Sequence, residues 1–253
     1  EALEVGYRHI DTAAIYGNEE GVGAAIAASG LPRSEVFVTT KLWNDRHDGD
    51  EPDAALGESL ERLGLEYVDL YLIHWPVPGA DRYVHAWGRL IGLREQGLAR
   101  SIGVSNFQPD RIMDLMVHNT VTPAVNQIEV NPFQQQIDAQ RFLLENNVQV
   151  EAWAPFAEGR NNIFQNELLL SIAAKHGRSV AQVILRWVTQ RGIIALAKSV
   201  RKERMLENIS VLDFELSAED MAAITTLDTK TSSFFDHRDP QMVKWLGSSK
   251  LDA

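Results

Sequence analysis

Asp11, Tyr16, Lys41 and His74 are polar residues that stand where apolar runs stop: GYRHI leads into Asp11, Tyr16 follows five residues later, VFVTT leads into Lys41 and VDLYLI into His74. A phenol with a pKa of about 10 is a poor acid at neutral pH, and a nearby ammonium is the usual way to favour its ionised form. Tyr16 and Lys41 are suited to form such a pair, with Asp11 as the carboxylate that holds the ammonium. His74 is suited to orient a carbonyl oxygen or pass the proton. The chemistry this set permits is protonation of a carbonyl oxygen as negative charge develops on it. Taken singly, each residue has a plainer explanation: a helix N-cap, a loop packing residue, a solvated charge, a core histidine. Their joint placement at successive strand ends carries the reading, because polar residues ending buried parallel strands are delivered to one rim of a sheet.

A second cluster is KSVRKER, in which Lys198, Arg201, Lys202 and Arg204 follow the last apolar run and open a helix. A late strand-to-helix loop with a helix N-terminus is a natural phosphate site, since backbone N–H groups and the helix dipole add to basic side chains. The cations outnumber what one pyrophosphate requires, which points to an extra phosphate monoester. Ser105, Asn106, Gln127 and Trp153 also fall at strand ends. Amide and hydroxyl groups of this kind can hold a carboxamide, and an indole can stack on a flat heteroaromatic ring. His9, His47, His74 and His85 show no ligand spacing, so no metal site is expected.

The elements that must position these residues follow from periodicity. Short β-rich runs at 7–11, 36–41, 68–75, 100–106, 124–130, 148–155 and 193–199 alternate with segments of helical spacing such as EEGVGAAIAAS, EPDAALGESLERLG, YVHAWGRLIGLREQG and DAQRFLLENN. NELLLSIAAKHG and SVAQVILRWVTQRG, the latter capped by Ser179, precede the last strand. RKERMLENISVL, SAEDMAAITTL and a tail rich in Phe, Trp and turn residues follow it. Alternation of this sort implies a parallel sheet with right-handed crossovers. EALEVG is read as the last turns of a helix ending at Gly6. No linker divides the chain, no GxGxxG follows any strand, and the polar strand ends are spread over the whole length. These features favour one domain over 1–253, an eight-stranded barrel lacking one strand, over an open doubly wound sheet.

The 253 residues are 45% hydrophobic, enough for a substantial core. Thirty-five acidic residues against 24 basic ones leave a formal charge of −11, which gives no general attraction to nucleic acid or to an anionic membrane. There is no cysteine, which excludes a disulfide framework, a thiolate nucleophile and a thiolate zinc site. No apolar stretch approaches a membrane span, and the opening residues lack the order of a signal peptide. The expectation is a cytoplasmic monomer acting on a small molecule.

The segments GYRHIDTAAIYGNEEGVG, KLW, DLYLIHWP, GLARSIGVSNF, PAVNQIEVNP and LAKSVRKERMLEN resemble, in order and spacing, those of the aldo-keto reductases. KLWNDRHDGD, DRYVHAW and Trp153 resemble most the bacterial 2,5-diketo-gluconate reductases. The resemblance implies an α/β fold, the (β/α)8 TIM barrel, that binds NADPH in an extended pose and reduces aldehydes or ketones, among them keto-sugar acids or 2-oxoaldehydes. By position it makes Tyr16 the general acid, tuned by Lys41 and Asp11, with His74 orienting the carbonyl. It gives Ser105, Asn106 and Gln127 to the nicotinamide carboxamide, Trp153 to the ring face, and Ala154 and Phe156 to the adjoining cofactor contacts. Lys198, Ser199, Val200, Arg201 and Arg204 fall to the 2′-phosphate region, and Glu207 and Asn208 to the adenine. Trp43, Trp75 and the tail around Phe234, Phe235 and Trp245 would line the substrate pocket. The family's N-terminal hairpin and first strand are absent from the sequence, so seven strands are expected. Two other readings fit the same residues: an NADPH-sensing binding protein on this scaffold, and a barrel hydrolase or isomerase acting on a sugar phosphate.

Overall fold

The short runs of β-branched and aromatic residues form strands β1 (His9–Asp11), β2 (Phe37–Leu42), β3 (Val68–Ile73), β4 (Ala99–Ser105), β5 (Val125–Glu129), β6 (Gln149–Trp153) and β7 (Ile194–Ala195). The computed structural model describes residues 1–251, and among these the strands number seven, one overlapping each expected run, with β2 reaching one residue past its run and β4 starting one residue before its own. The chain divides into two compact units. One holds Tyr7–Asn126 and the segment from His237 onward; the other holds Glu1–Gly6 and Gln127–Asp236.

In the first unit β1 to β4 pair in chain order, all parallel, with Asp11 beside Thr39, Thr39 beside Leu70, and Leu72 beside Gly103. Every residue of β3 is buried, as expected for a parallel strand covered on both faces. Helices Glu19–Ala28, Glu51–Leu63 and Tyr83–Glu95 follow β1, β2 and β3. Gly23 lets the first two helices touch: a Cβ there would lie 2.0 Å from the Leu63 carbonyl oxygen.

Two helices, Pro109–His118 and Pro240–Ser248, were not anticipated. Both begin on a proline, which suits the first turn because the missing N–H has no helical partner there. The second is anchored through Asn44, whose Nδ2 donates to the Leu246 carbonyl at 3.0 Å.

In the second unit β6 and β7 pair in parallel, Glu151 beside Ile194 and Ala152 beside Ala195. The seventh run was expected over 193–199 but its strand is two residues long. The reason lies in its neighbour: β6 ends at Trp153, Ala154 turns left-handed at φ 48° and Pro155 follows. Beyond the bond from Leu196 N to Ala152 O at 3.0 Å there is no edge left to pair with. Helix Val180–Gln190 starts on a full capping box, Ser179 with Gln182. Residues 1–6, read from sequence as the end of a helix, form hydrogen-bonded turns instead, with Val5 N bonded to Glu1 O at 3.0 Å and Gly6 at φ 111°. No helix among the described residues is long and apolar enough to cross a membrane.

Candidate active site

Strand alternation and register together select which side chains meet. Asp11 pairs with Thr39, so the two share a face of the sheet, and Lys41, two residues beyond Thr39, shares it too. Lys41 pairs with Leu72, which puts His74 on that face, and Leu72 pairs with Gly103, which does the same for Ser105. Thr40 points the other way, where its hydroxyl donates to Glu19 at 2.5 Å, and Glu19 in turn accepts from Arg62 Nε at 2.8 Å.

Lys41 is wholly buried, at 0% exposure. Its Nζ donates to Asp11 Oδ1 at 2.6 Å and to the Thr12 carbonyl at 2.7 Å. The same ammonium lies 5.1 Å from the centroid of the Tyr16 ring. Tyr16 closes a short turn, Ala14–Tyr16, ended by Gly17 in the left-handed conformation at φ 63°. Its ring meets His74 edge-on, centroids 5.8 Å apart, and 51% of the residue is exposed. Burial raises the Tyr16 pKa above its ordinary value, while the Lys41 charge opposes that rise and Asp11 adds to it. His74 is held well below its ordinary pKa, first by burial and then by Lys41. Its imidazole is therefore neutral at neutral pH, with a buried Nδ1 that has no hydrogen-bond partner.

Aromatic residues surround this group. Trp43 packs edge-on to His74 at 5.0 Å and Trp75 stacks against it at 6.3 Å. Trp75 also meets His237 at 5.0 Å, and a cavity of about 130 Å³ opens there, lined by Trp75, Val77, Asn106, Arg111, His237 and Leu246 among others. Sequence reasoning missed Arg111 and His237. Neither carries a motif, and only the fold brings them beside Trp75. Trp245, expected to line the substrate pocket, is 54% exposed and is not part of that cavity wall.

Ser105 and Asn106 are buried, and Asn106 sits at φ 63°, a left-handed position that Asn tolerates. Asn106 Nδ2 donates to Ser105 Oγ and to the His74 carbonyl, both at 3.1 Å.

In the other unit Gln127 Nε2 donates to the buried Glu151 carboxylate at 2.8 Å. Trp153 packs on Phe234 with centroids 5.1 Å apart, and Phe156 on Phe164 at 5.7 Å. Lys198, Arg201 and Arg204 are exposed, as is Val200 at 82%. Ser199 Oγ accepts from Arg201 N at 3.1 Å, which sets the turn before helix Lys202–Ile209. Lys202 is turned to an ion pair with Glu4 at 3.1 Å. Glu207 accepts from the Ser179 hydroxyl and Asn208 is buried.

A buried ammonium held by a carboxylate beside a phenol and a neutral imidazole defines an acid–base site, and the fold that carries it has known relatives. The Aldo/keto reductase family model matches residues 1–229, and the chain belongs to that family. It is 48% identical over 228 residues to Methylglyoxal reductase DkgA of Yersinia pestis, covering 90% of this chain and 82% of that protein. It is 47% identical over 227 residues to the glyoxal reductase of Bacillus subtilis, covering 90% of this chain and 81% of the relative. A crystal structure of a Bombyx mori aldo-keto reductase in complex with NADP superposes with a TM-score of 0.86 at 41% identity, covering 94% of this chain and 83% of that one.

Proposed function

We propose that this chain is an NADPH-dependent carbonyl reductase in which Tyr16 is the general acid. The observation that carries the proposal is the wholly buried Lys41, bonded to Asp11 at 2.6 Å with its charge 5.1 Å from the Tyr16 ring. A buried ammonium is expensive unless it is paired and serves a purpose. Here it favours the phenolate that forms as Tyr16 gives up its proton.

The residues present suit a phosphorylated dinucleotide. Lys198, Arg201 and Arg204 are exposed cations around a helix N-terminus, suited to a 2′-phosphate. Ser199 and Val200 belong to the same turn, and Glu207 and Asn208 would attend the adenine. Ser105, Asn106 and Gln127 would hold the carboxamide, Trp153 the ring face, with Ala154 and Phe156 adjoining. When bound, NADPH supplies a hydride to the carbonyl carbon.

What the chain itself does follows from its electrostatics. The raised Tyr16 pKa keeps the phenol protonated and able to donate at neutral pH. As the proton moves to the carbonyl oxygen, the Lys41 ammonium stabilises the phenolate and Asp11 holds that ammonium in place. Neutral His74 directs the carbonyl oxygen toward Tyr16 without a second positive charge. Trp43 and Trp75 exclude water from that corner. The relatives named for methylglyoxal and glyoxal support 2-oxoaldehydes as substrates, with keto-sugar acids as a second class. We read 1–253 as one (β/α)8 reductase domain, of which the family match covers residues 1–229.

The test is NADPH oxidation followed by absorbance with methylglyoxal, glyoxal, an aryl aldehyde and a 2-keto acid. Consumption with at least one dicarbonyl is expected; tight NADPH binding with no consumption on any of them would sink the reductase reading.

A further inference from the structure

Glu129 ends β5 inside the core, 2% exposed, and no part of the mechanism uses it. Its carboxylate accepts three hydrogen bonds. Oε1 takes Asn131 Nδ2 and Ser233 N, each at 3.0 Å, and Oε2 takes the Ser232 hydroxyl at 2.6 Å. Having given its only proton to Glu129, Ser232 Oγ uses its lone pairs to accept Phe234 N at 3.0 Å and Phe235 N at 3.2 Å. A directed chain therefore runs from a buried carboxylate to the backbone of Phe234, whose ring packs on Trp153.

The same segment is gripped from its other side. Arg160 lies 4.4 Å above the Phe234 ring and its Nη1 donates to the Ser233 carbonyl at 3.1 Å, while Asn161 Nδ2 reaches Ser233 Oγ at 3.3 Å. These two residues belong to a stretch in which Ala157, Glu158, Gly159, Asn161 and Asn162 all have left-handed φ, between 46° and 79°. So irregular a backbone is costly for non-glycine residues and persists only when its surroundings fix it.

We infer that Glu129 is a positioning residue for the Trp153 indole, acting through Ser232 and Phe234. The packing claim stands on the contacts above, and only its consequence for cofactor affinity rests on the proposed role of Trp153 against nicotinamide. Glu129→Gln is a selective probe. Its amide oxygen must occupy the position that accepts two N–H groups, which leaves an NH2 facing Ser232 Oγ, a donor where the hydroxyl needs an acceptor.

The experiment has two arms. Without cofactor, tryptophan emission is compared among the wild type, Glu129→Gln and Ser232→Ala, each also in a Trp153→Phe background. Both substitutions should shift the emission when Trp153 is present and leave it unchanged when Trp153 is Phe. Ser232→Ala carries this arm should Glu129→Gln fail to fold. An unshifted emission, or a shift that persists without Trp153, overturns the inference.

With cofactor, Glu129→Gln should weaken NADPH binding about 5- to 10-fold, and should weaken it no further in a Phe234→Ala background. Additive losses would show that Glu129 does not act through Phe234. A wild type that binds no NADPH defeats the reductase reading instead, and the cofactor-free arm then decides the inference by itself.

Discussion

Lys41 and Arg204 are both cations in an acidic chain, and the protein treats them in opposite ways. Lys41 is sealed at 0% exposure with two oxygen partners within 2.7 Å, on a strand whose neighbours fix its direction. Arg204 is exposed on a helix that follows a six-residue loop after β7. A group that acts on a proton in transit must be placed before the substrate arrives, and desolvation makes its charge count. A group that attracts a phosphate can stay solvated, because the ligand supplies the partner. The difference predicts that substitutions at the first site reach both chemistry and stability, and at the second only affinity.

The largest expected effect tests the proton donor. Tyr16→Phe should lower kcat by about 10³-fold, within the range of general acid catalysis, while fluorescence titration shows NADPH binding nearly unchanged. Turnover that survives would remove Tyr16 from its proposed role.

Lys41→Met comes next. It should abolish turnover and also destabilise the fold by about 3 kcal/mol, because Asp11 loses its partner in a largely buried place. Adding Asp11→Asn should restore most of the denaturation midpoint but none of the activity. Recovery of both would mean that the pair is structural only.

The third effect is a pH dependence in the same region. His47 is 2% exposed, neither ring nitrogen has a hydrogen-bond partner, and burial with the nearby Arg82 lowers its pKa to about 4. The unfolded chain then binds a proton that the folded one refuses, so stability should fall as pH drops from 6.5 toward about 4. The shift corresponds to about 3 kcal/mol at most. His47→Phe should flatten urea midpoints over that window; an unchanged slope would assign the acid sensitivity elsewhere. His74 contributes with the same sign, so some slope should remain.

The smallest effect belongs to the exposed cluster. Arg204→Ala should weaken NADPH about tenfold, the size of one charge-assisted contact, leave NADH binding and thermal stability unaltered, and reduce the salt dependence of NADPH binding. Equal weakening of both nucleotides would contradict the 2′-phosphate assignment.

Much of this architecture was legible along the chain. Each β-rich run held a strand, Ser179 was the cap it promised to be, and Asp11, Tyr16, Lys41 and His74 could be picked out by type, although Tyr16 lies in a turn and not at a strand end. The helices at Pro109 and Pro240 were legible in principle, because a proline at the first helical position is a start signal as well as a break. The two-residue β7 was not, since its end is set by Ala154 and Pro155 in the neighbouring strand's continuation. Arg111 and His237 could not be paired with Trp75 from spacing alone, being separated from it by long stretches of chain.

The sequence by itself determined that Thr39 and Lys41, with Thr40 alone between them, share one face of an extended strand wherever that strand is laid. It did not determine which face, or what lies across from it. That was decided by the register of β2 against β1 and β3, where Asp11 sits beside Thr39 and Leu72 beside Lys41. A slip of one residue would turn Lys41 toward the side where Thr40 meets Glu19 and Arg62. The residue types are local, but the 2.6 Å between Lys41 and Asp11, and the burial that keeps His74 neutral, exist only because distant strands pack in that one alignment.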